Sequence, residues 1–81
     1  MKLLKFSKEN CPACMKVEML LKSSEIEDYE EVNPFENPNL AVNYQIQSVP
    51  VTILLDDNGK EVQRSIGFKP DELEEIVSKL A

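Results

Sequence analysis

The chain of 81 residues has no histidine and no tryptophan, and only two glycines and two cysteines. Without histidine, Ser–His and Cys–His catalysis are excluded, and so is the commonest metal ligand. Positive charge is in short supply: 9 Lys and Arg stand against 15 Asp and Glu, a net charge of −6. That balance argues against nucleic acid as a partner, because phosphate binding needs clustered Lys and Arg. It is compatible with docking to a basic patch on another protein. No apolar run approaches the roughly 20 residues of a membrane span or the roughly 7–15 of a signal-peptide core, so neither a membrane nor a targeting segment is expected. A chain this short buries only roughly 60% of the surface its unfolded form exposes, and one domain over residues 1–81 is the expected organisation.

What the sequence does have is Cys11-Pro12-Ala13-Cys14. At this spacing two sulfurs either close a small, readily reduced disulfide or supply two metal ligands. A structural zinc site wants four N or S ligands, which only a dimer sharing its cysteines would assemble. No metal is therefore expected, and no cofactor beyond the disulfide itself. That disulfide would enclose almost no chain, so it removes little loop-closure entropy and does little for stability. A bridge of this kind is better suited to being made and broken. The bland alternative is a pair of inert, small core residues. For a CxxC pair beside a β-α-β pattern, a reducing cytoplasm is the expected compartment.

The pattern along the chain places the pair. Lys2 to Phe6 reads as a short buried strand, and Cys11 to about Lys22 as a helix with Cys14, Val17, Leu20 and Leu21 near the 3.6 period. Pro12 suits the first helical turn, where its missing N–H costs nothing, so Cys11 falls at the N-cap. Asp28 to Val32 is a weaker strand candidate, and Asn37-Pro38 opens a short helix through about Tyr44. Val51 to Leu55 is the strongest strand, followed by the hairpin signal Asn58-Gly59 and an alternating edge strand from Val62 to Ile66. A last helix starts at Pro70 with Leu73, Ile76, Val77 and Leu80 on one stripe. The order β-α-β-α-β-β-α, with right-handed crossovers, predicts a four-stranded mixed sheet carrying helices on both faces. Its first three strands would be parallel and its fourth an antiparallel edge.

A thiol at a helix N-terminus faces unpaired N–H groups and the positive end of the helix dipole, which favours thiolate. Cys11 is accordingly the expected nucleophile. Cys14, one turn inside, should be less exposed and is suited to resolving a mixed disulfide. Met15 and Met19 read as packing residues.

Several segments resemble the thioredoxin family across nearly the whole chain. They are Phe6 to Cys14, Asn33-Pro34-Phe35-Glu36-Asn37-Pro38, Ser48-Val49-Pro50, Asp57-Asn58-Gly59-Lys60 and Ile66-Gly67-Phe68. The resemblance is to a minimal version lacking the family's extra N-terminal strand and helix. It implies a thioredoxin-like α/β fold and a cis Val49–Pro50 peptide lying against the redox pair. The backbone at Val49 would then pair with an extended substrate segment. The implied activity is reduction of protein disulfides by a monomer cycling between a Cys11/Cys14 dithiol and disulfide, supported by Pro12 and Ala13. The implied partners are disulfide-containing target proteins and a thioredoxin-reductase-type flavoenzyme.

The departures from the family pattern matter as much. Asn10 stands where tryptophan is usual, and Pro12-Ala13 where Gly-Pro is usual. Phe6-Ser7-Lys8 followed by Cys11-Pro12 looks more like glutaredoxin, whose lysine at the Lys8 position helps hold glutathione. Phe68, where a second glycine is usual in glutaredoxins after the one matching Gly67, would crowd the tripeptide. Gly67, Phe68, Lys8 and Val49 are the substrate-binding candidates, with Phe68 as an exposed docking residue or else a core phenylalanine. Lys5 stands where the family buries an aspartate, and Glu31 where it has the partner lysine. A charge-swapped Lys5–Glu31 pair under the CxxC is expected, with Glu31 as proton acceptor and Lys5 favouring thiolate; the alternative is that both face solvent. A glutathione-dependent glutaredoxin is the second reading, and a non-catalytic accessory subunit the third.

Overall fold

The computed structural model describes residues 1–80, so the last residue of the expected 1–81 unit lies outside the described residues. Its elements are β1 (Lys2–Phe6), α1 (Pro12–Ser23), β2 (Glu30–Val32), α2 (Pro38–Asn43), β3 (Val51–Leu55), β4 (Glu61–Ile66) and α3 (Pro70–Leu80). They form one four-stranded sheet in the order β2-β1-β3-β4. All three helices begin at a proline, Pro12, Pro38 and Pro70, with Cys11 and Asn37 as the N-caps of the first two.

One expectation is corrected. β2 runs parallel to β1, but β3 runs antiparallel to it, as β4 does to β3. Three strands, β1, β2 and β4, therefore run in one direction, but the reversed strand is β3 inside the sheet rather than β4 at its edge. The reason lies in the connection between β2 and β3. Phe6 pairs with Val32, where β2 ends, and with Val51, where β3 begins. The chain leaves and re-enters the sheet at the same end. α2 has 6 residues and so advances only about 9 Å, whereas undoing the travel of a five-residue strand needs about 17 Å. The right-handed crossover thus applies to β1-α1-β2 alone.

Strand alternation divides the interior into two clusters. Leu3 and Leu54 meet Val17 and Leu21 of α1 and Leu73 and Ile76 of α3 on one face. Leu4, Phe6, Val51, Ile53 and Leu55 point to the other, which is covered by Tyr44 at the end of α2 and by Ile46 and Val49 after it. The Phe6 and Tyr44 rings lie 5.7 Å apart. With both faces covered, β3 is buried at every residue, which explains its uninterrupted apolar sequence. At the hairpin only Gly59, not Asn58, has positive φ (+81°), so the turn is a longer one with glycine in the left-handed position. Asp56 Oδ1 holds it by accepting from the N–H groups of Asn58 and Lys60, each at 2.9 Å.

Candidate active site

Cys11 caps α1 from an extended conformation, and its Sγ accepts a hydrogen bond from the Cys14 N–H at 3.2 Å. Its sulfur is bonded to that of Cys14, with Cα atoms 5.2 Å apart. No acidic residue lies in the first turn of α1, so no nearby carboxylate on the helix offsets its positive end. Both cysteines are buried, Cys14 (3% exposed) more deeply than Cys11 (7%). The site is therefore an N-terminal helical turn whose outer sulfur meets the surface and whose inner sulfur faces the sheet.

Two clefts flank the disulfide. The larger, of about 620 Å³, opens beside Cys11 and is lined by Lys8, Asn10, Pro12, Phe35, Ile46 and Val49 among others. The Val49–Pro50 peptide at its edge is cis. Pro50 is held in turn by its carbonyl, which accepts from the Gly67 N–H at 2.8 Å. Lys8 Nζ stands 5.8 Å from the Phe35 ring centroid, within cation–π range. Of the substrate-binding candidates, Lys8 and Val49 line this cleft while Gly67 and Phe68 do not. Phe68 is half-buried against the α1/α3 cluster, so the expectation of an exposed docking residue there is corrected. Phe68, two residues past the end of β4, turns inward because α3 starts two residues later. The exposed aromatic is instead Phe35, 74% accessible. In the sequence Phe35 stands out only within the family likeness; its signal is an aromatic between Asn33-Pro34 and Pro38, outside any periodic apolar face. Met15 and Met19, expected to pack, are also largely exposed, because the buried stripe of α1 is Cys14, Val17 and Leu21.

The smaller cleft, about 280 Å³, lies on the Cys14 side and is shared by Lys5, Ser7, Cys14, Glu18 and Glu31. Lys5 and Glu31 face each other across β1 and β2. Lys5 Nζ donates to Glu31 Oε2 at 2.8 Å, and Lys5 is only 1% exposed while the Glu31 side chain is 53% exposed. The hydrogen bond from Lys5 holds the Glu31 carboxyl below the ordinary carboxylate range, against the opposing effect of partial burial; the Lys5 charge and the Ser7 hydroxyl add to the lowering. Tyr29, whose ring lies 5.8 Å from Lys5 Nζ, has its hydroxyl pKa raised by burial first and by the Glu31 and Glu18 charges second. The structure thus brings Lys5 and Glu31 together beside Cys14, rather than leaving both in solvent. Among the described residues, no three His, Cys, Asp or Glu side chains cluster to hold a metal ion.

The architecture and the buried Cys11–Cys14 disulfide at a helix start define a thioredoxin-like redox domain. A thioredoxin-like protein of SPbeta prophage origin from Bacillus subtilis, YosR, is 42% identical over 80 residues, covering 99% of both chains. Thioredoxin H2 of Arabidopsis thaliana is 36% identical over 80 residues, covering 93% of this chain and 59% of its own length. Among solved structures, thioredoxin 1 of Thermosipho africanus superposes with a TM-score of 0.74 at 26% identity, covering 99% of this chain and 93% of that one. No protein-family model matches. The chain belongs to the thioredoxin family. With its CxxC disulfide it is a thiol–disulfide oxidoreductase.

Proposed function

We propose that the protein reduces disulfides of target proteins, with Cys11 as nucleophile and Cys14 as resolving thiol. The observation that carries this reading is the position of Cys11: N-cap of α1, its sulfur receiving the Cys14 N–H, beside the larger cleft. The Cys11 thiolate attacks one sulfur of a target disulfide; the target S–S bond breaks, and the leaving thiolate takes a proton. The mixed disulfide is then attacked by Cys14, which gives up its proton as the Cys11–target bond breaks and the Cys11–Cys14 bond forms. Two electrons pass from the dithiol to the target. Pro12 and Ala13 shape the turn, and the Val49 backbone beside Pro50 is the pairing edge for an extended target segment.

Proton handling falls to the smaller cleft. The Lys5 ammonium stabilises the Cys14 thiolate as it forms, and Glu31, ionised and open to water at the cleft's mouth, passes the proton to solvent. Support comes from the 2.8 Å pair and from the shared cleft. The reductant is a thioredoxin-reductase-type flavoenzyme, which returns two electrons to the disulfide, and the working form is a cytoplasmic monomer. Lys8 on the wall of the larger cleft favours a second reading, a glutaredoxin recycled by glutathione.

Insulin reduction distinguishes them. Turnover is expected with NADPH and thioredoxin reductase. Turnover only with NADPH, glutathione and glutathione reductase would establish the second reading instead. Glu31→Gln is expected to slow the reaction while leaving the fold intact; an unchanged rate across pH 6 to 9 would remove Glu31 from the mechanism.

A further inference from the structure

A row of polar residues crosses the whole sheet beneath the helix face. Glu31 pairs with Lys5, Lys5 with Thr52 and Thr52 with Ser65, so one residue from each strand lies in register. Directly opposed residues share a face, and this is the face that carries Leu3 and Leu54. Lys5, Thr52 and Ser65 are all essentially buried. Lys5 is satisfied by Glu31, and the Ser65 hydroxyl donates to Glu72 Oε1 of α3 at 2.8 Å. Thr52 Oγ1 has no hydrogen-bond partner, and it is the one buried side-chain polar atom so placed among the described residues.

The place of this orphan relative to the disulfide follows from the helix above it. Val17 and Leu21 of α1 pack on the row of Leu3 and Leu54. Stepping back from Val17 to Cys14 moves about 4.5 Å along α1, and stepping two residues toward the Phe6 end of the strands moves about 6.6 Å. That step leads from Leu3 and Leu54 to Lys5 and Thr52, so Cys14, the next residue of the buried stripe, lies over this row. The cleft shared by Lys5 and Cys14 agrees with this placement. A buried hydroxyl left unpaired is costly, and a valine of the same shape would avoid the cost. Opening the disulfide frees a Cys14 sulfur that accepts hydrogen bonds better than the bonded one, most of all as thiolate.

We propose that Thr52 is a positioning residue whose hydroxyl donates to the Cys14 sulfur in the dithiol state, so that the polar row favours the reduced protein. The inference rests on the thiol–disulfide reading of the site. It is tested by equilibrating the full chain with glutathione, in which two glutathione thiols reduce Cys11–Cys14 and form one glutathione disulfide. Thr52→Val is expected to shift the constant about tenfold toward the protein disulfide, which is about 30 mV. Thr52→Ser, which keeps the hydroxyl, should stay within about twofold of the unaltered protein. Melting of the two forms gives a second readout: Thr52→Val should lower the midpoint of the dithiol form relative to the disulfide form. An unchanged constant, or equal shifts of both midpoints, overturns the proposal, since a hydroxyl with a purely structural role affects both forms alike. If the unaltered protein fails to exchange with glutathione or any dithiol, the underlying redox reading falls, a result separable from failure of the Thr52 inference alone.

Discussion

The Lys5–Glu31 pair predicts an inverted order of damage. Lys5 is 1% exposed and its carboxylate partner stands 2.8 Å away. Removing one member of a fully buried pair costs about 3–5 kcal/mol, because the other is left as an uncompensated buried charge. Here the partner side chain is 53% exposed, so water screens the interaction and pulls its value toward the roughly 0–1 kcal/mol of surface pairs. Glu31→Gln, which keeps one neutral acceptor, is therefore expected to destabilise the disulfide form by about 1–2 kcal/mol. Lys5→Met removes the charge and the need for a partner together, fills a similar volume, and is expected to be neutral or stabilising by about 1 kcal/mol. In the Lys5→Met background, Glu31→Gln should cost less than about 0.5 kcal/mol.

Urea unfolding of the disulfide form at pH 7 measures all four proteins of this cycle. The acid side supplies an independent check. Because the folded Glu31 carboxyl lies below its ordinary value, the pair's contribution is complete above the ordinary carboxylate range and is lost as pH falls through the lowered folded value. The stability gap between the unaltered protein and Glu31→Gln should close over that interval. The reasoning is refuted if Lys5→Met costs more than Glu31→Gln, or if Glu31→Gln costs the same in both backgrounds.

Other consequences concern the cysteines, the proton and the core. Cys11→Ser should abolish insulin reduction, while Cys14→Ser should accumulate a mixed disulfide with the target, visible by intact mass; retained turnover in Cys11→Ser would remove Cys11 as the nucleophile. Lys5→Met should slow the release step driven by Cys14 about tenfold at neutral pH, equivalent to about 1.4 kcal/mol of lost thiolate stabilisation; stopped-flow traces read this rate directly, and an unchanged rate removes Lys5 from thiolate stabilisation. Leu54→Ala, at a fully buried position between β3 and the helix face, should cost about 2–5 kcal/mol in urea unfolding. A loss below 1 kcal/mol would contradict that placement.

The parts of this molecule legible in its sequence are those decided by neighbours along the chain. Pro12 directs a helix start, and Cys11 must then be its cap. The apolar run from Val51 to Leu55 needed no partner to declare a strand buried on both faces. The direction of β3 was hidden because it depends on where a connection ends in space, and α2 is too short to return the chain across the sheet. Phe68 was ambiguous for the same reason: whether it turns outward depends on α3, which starts two residues later. Lys5 occupies an intermediate position. One lysine inside Leu3-Leu4-Lys5-Phe6 signals a buried charge that needs an anion; the family resemblance offers Glu31 as that anion and strand register sets the two side by side, but only register identifies Thr52 as the neighbour on the other side. Register is set by the apolar alternation of the facing strands, so the polar row is a consequence of how the core packs. A change that slips β1 against β3 by one residue would move Lys5 to the opposite face, separating it from Glu31 and from Cys14 together. The redox site and the hydrophobic core thus share one determinant, the alternation of Leu3, Leu4, Lys5 and Phe6.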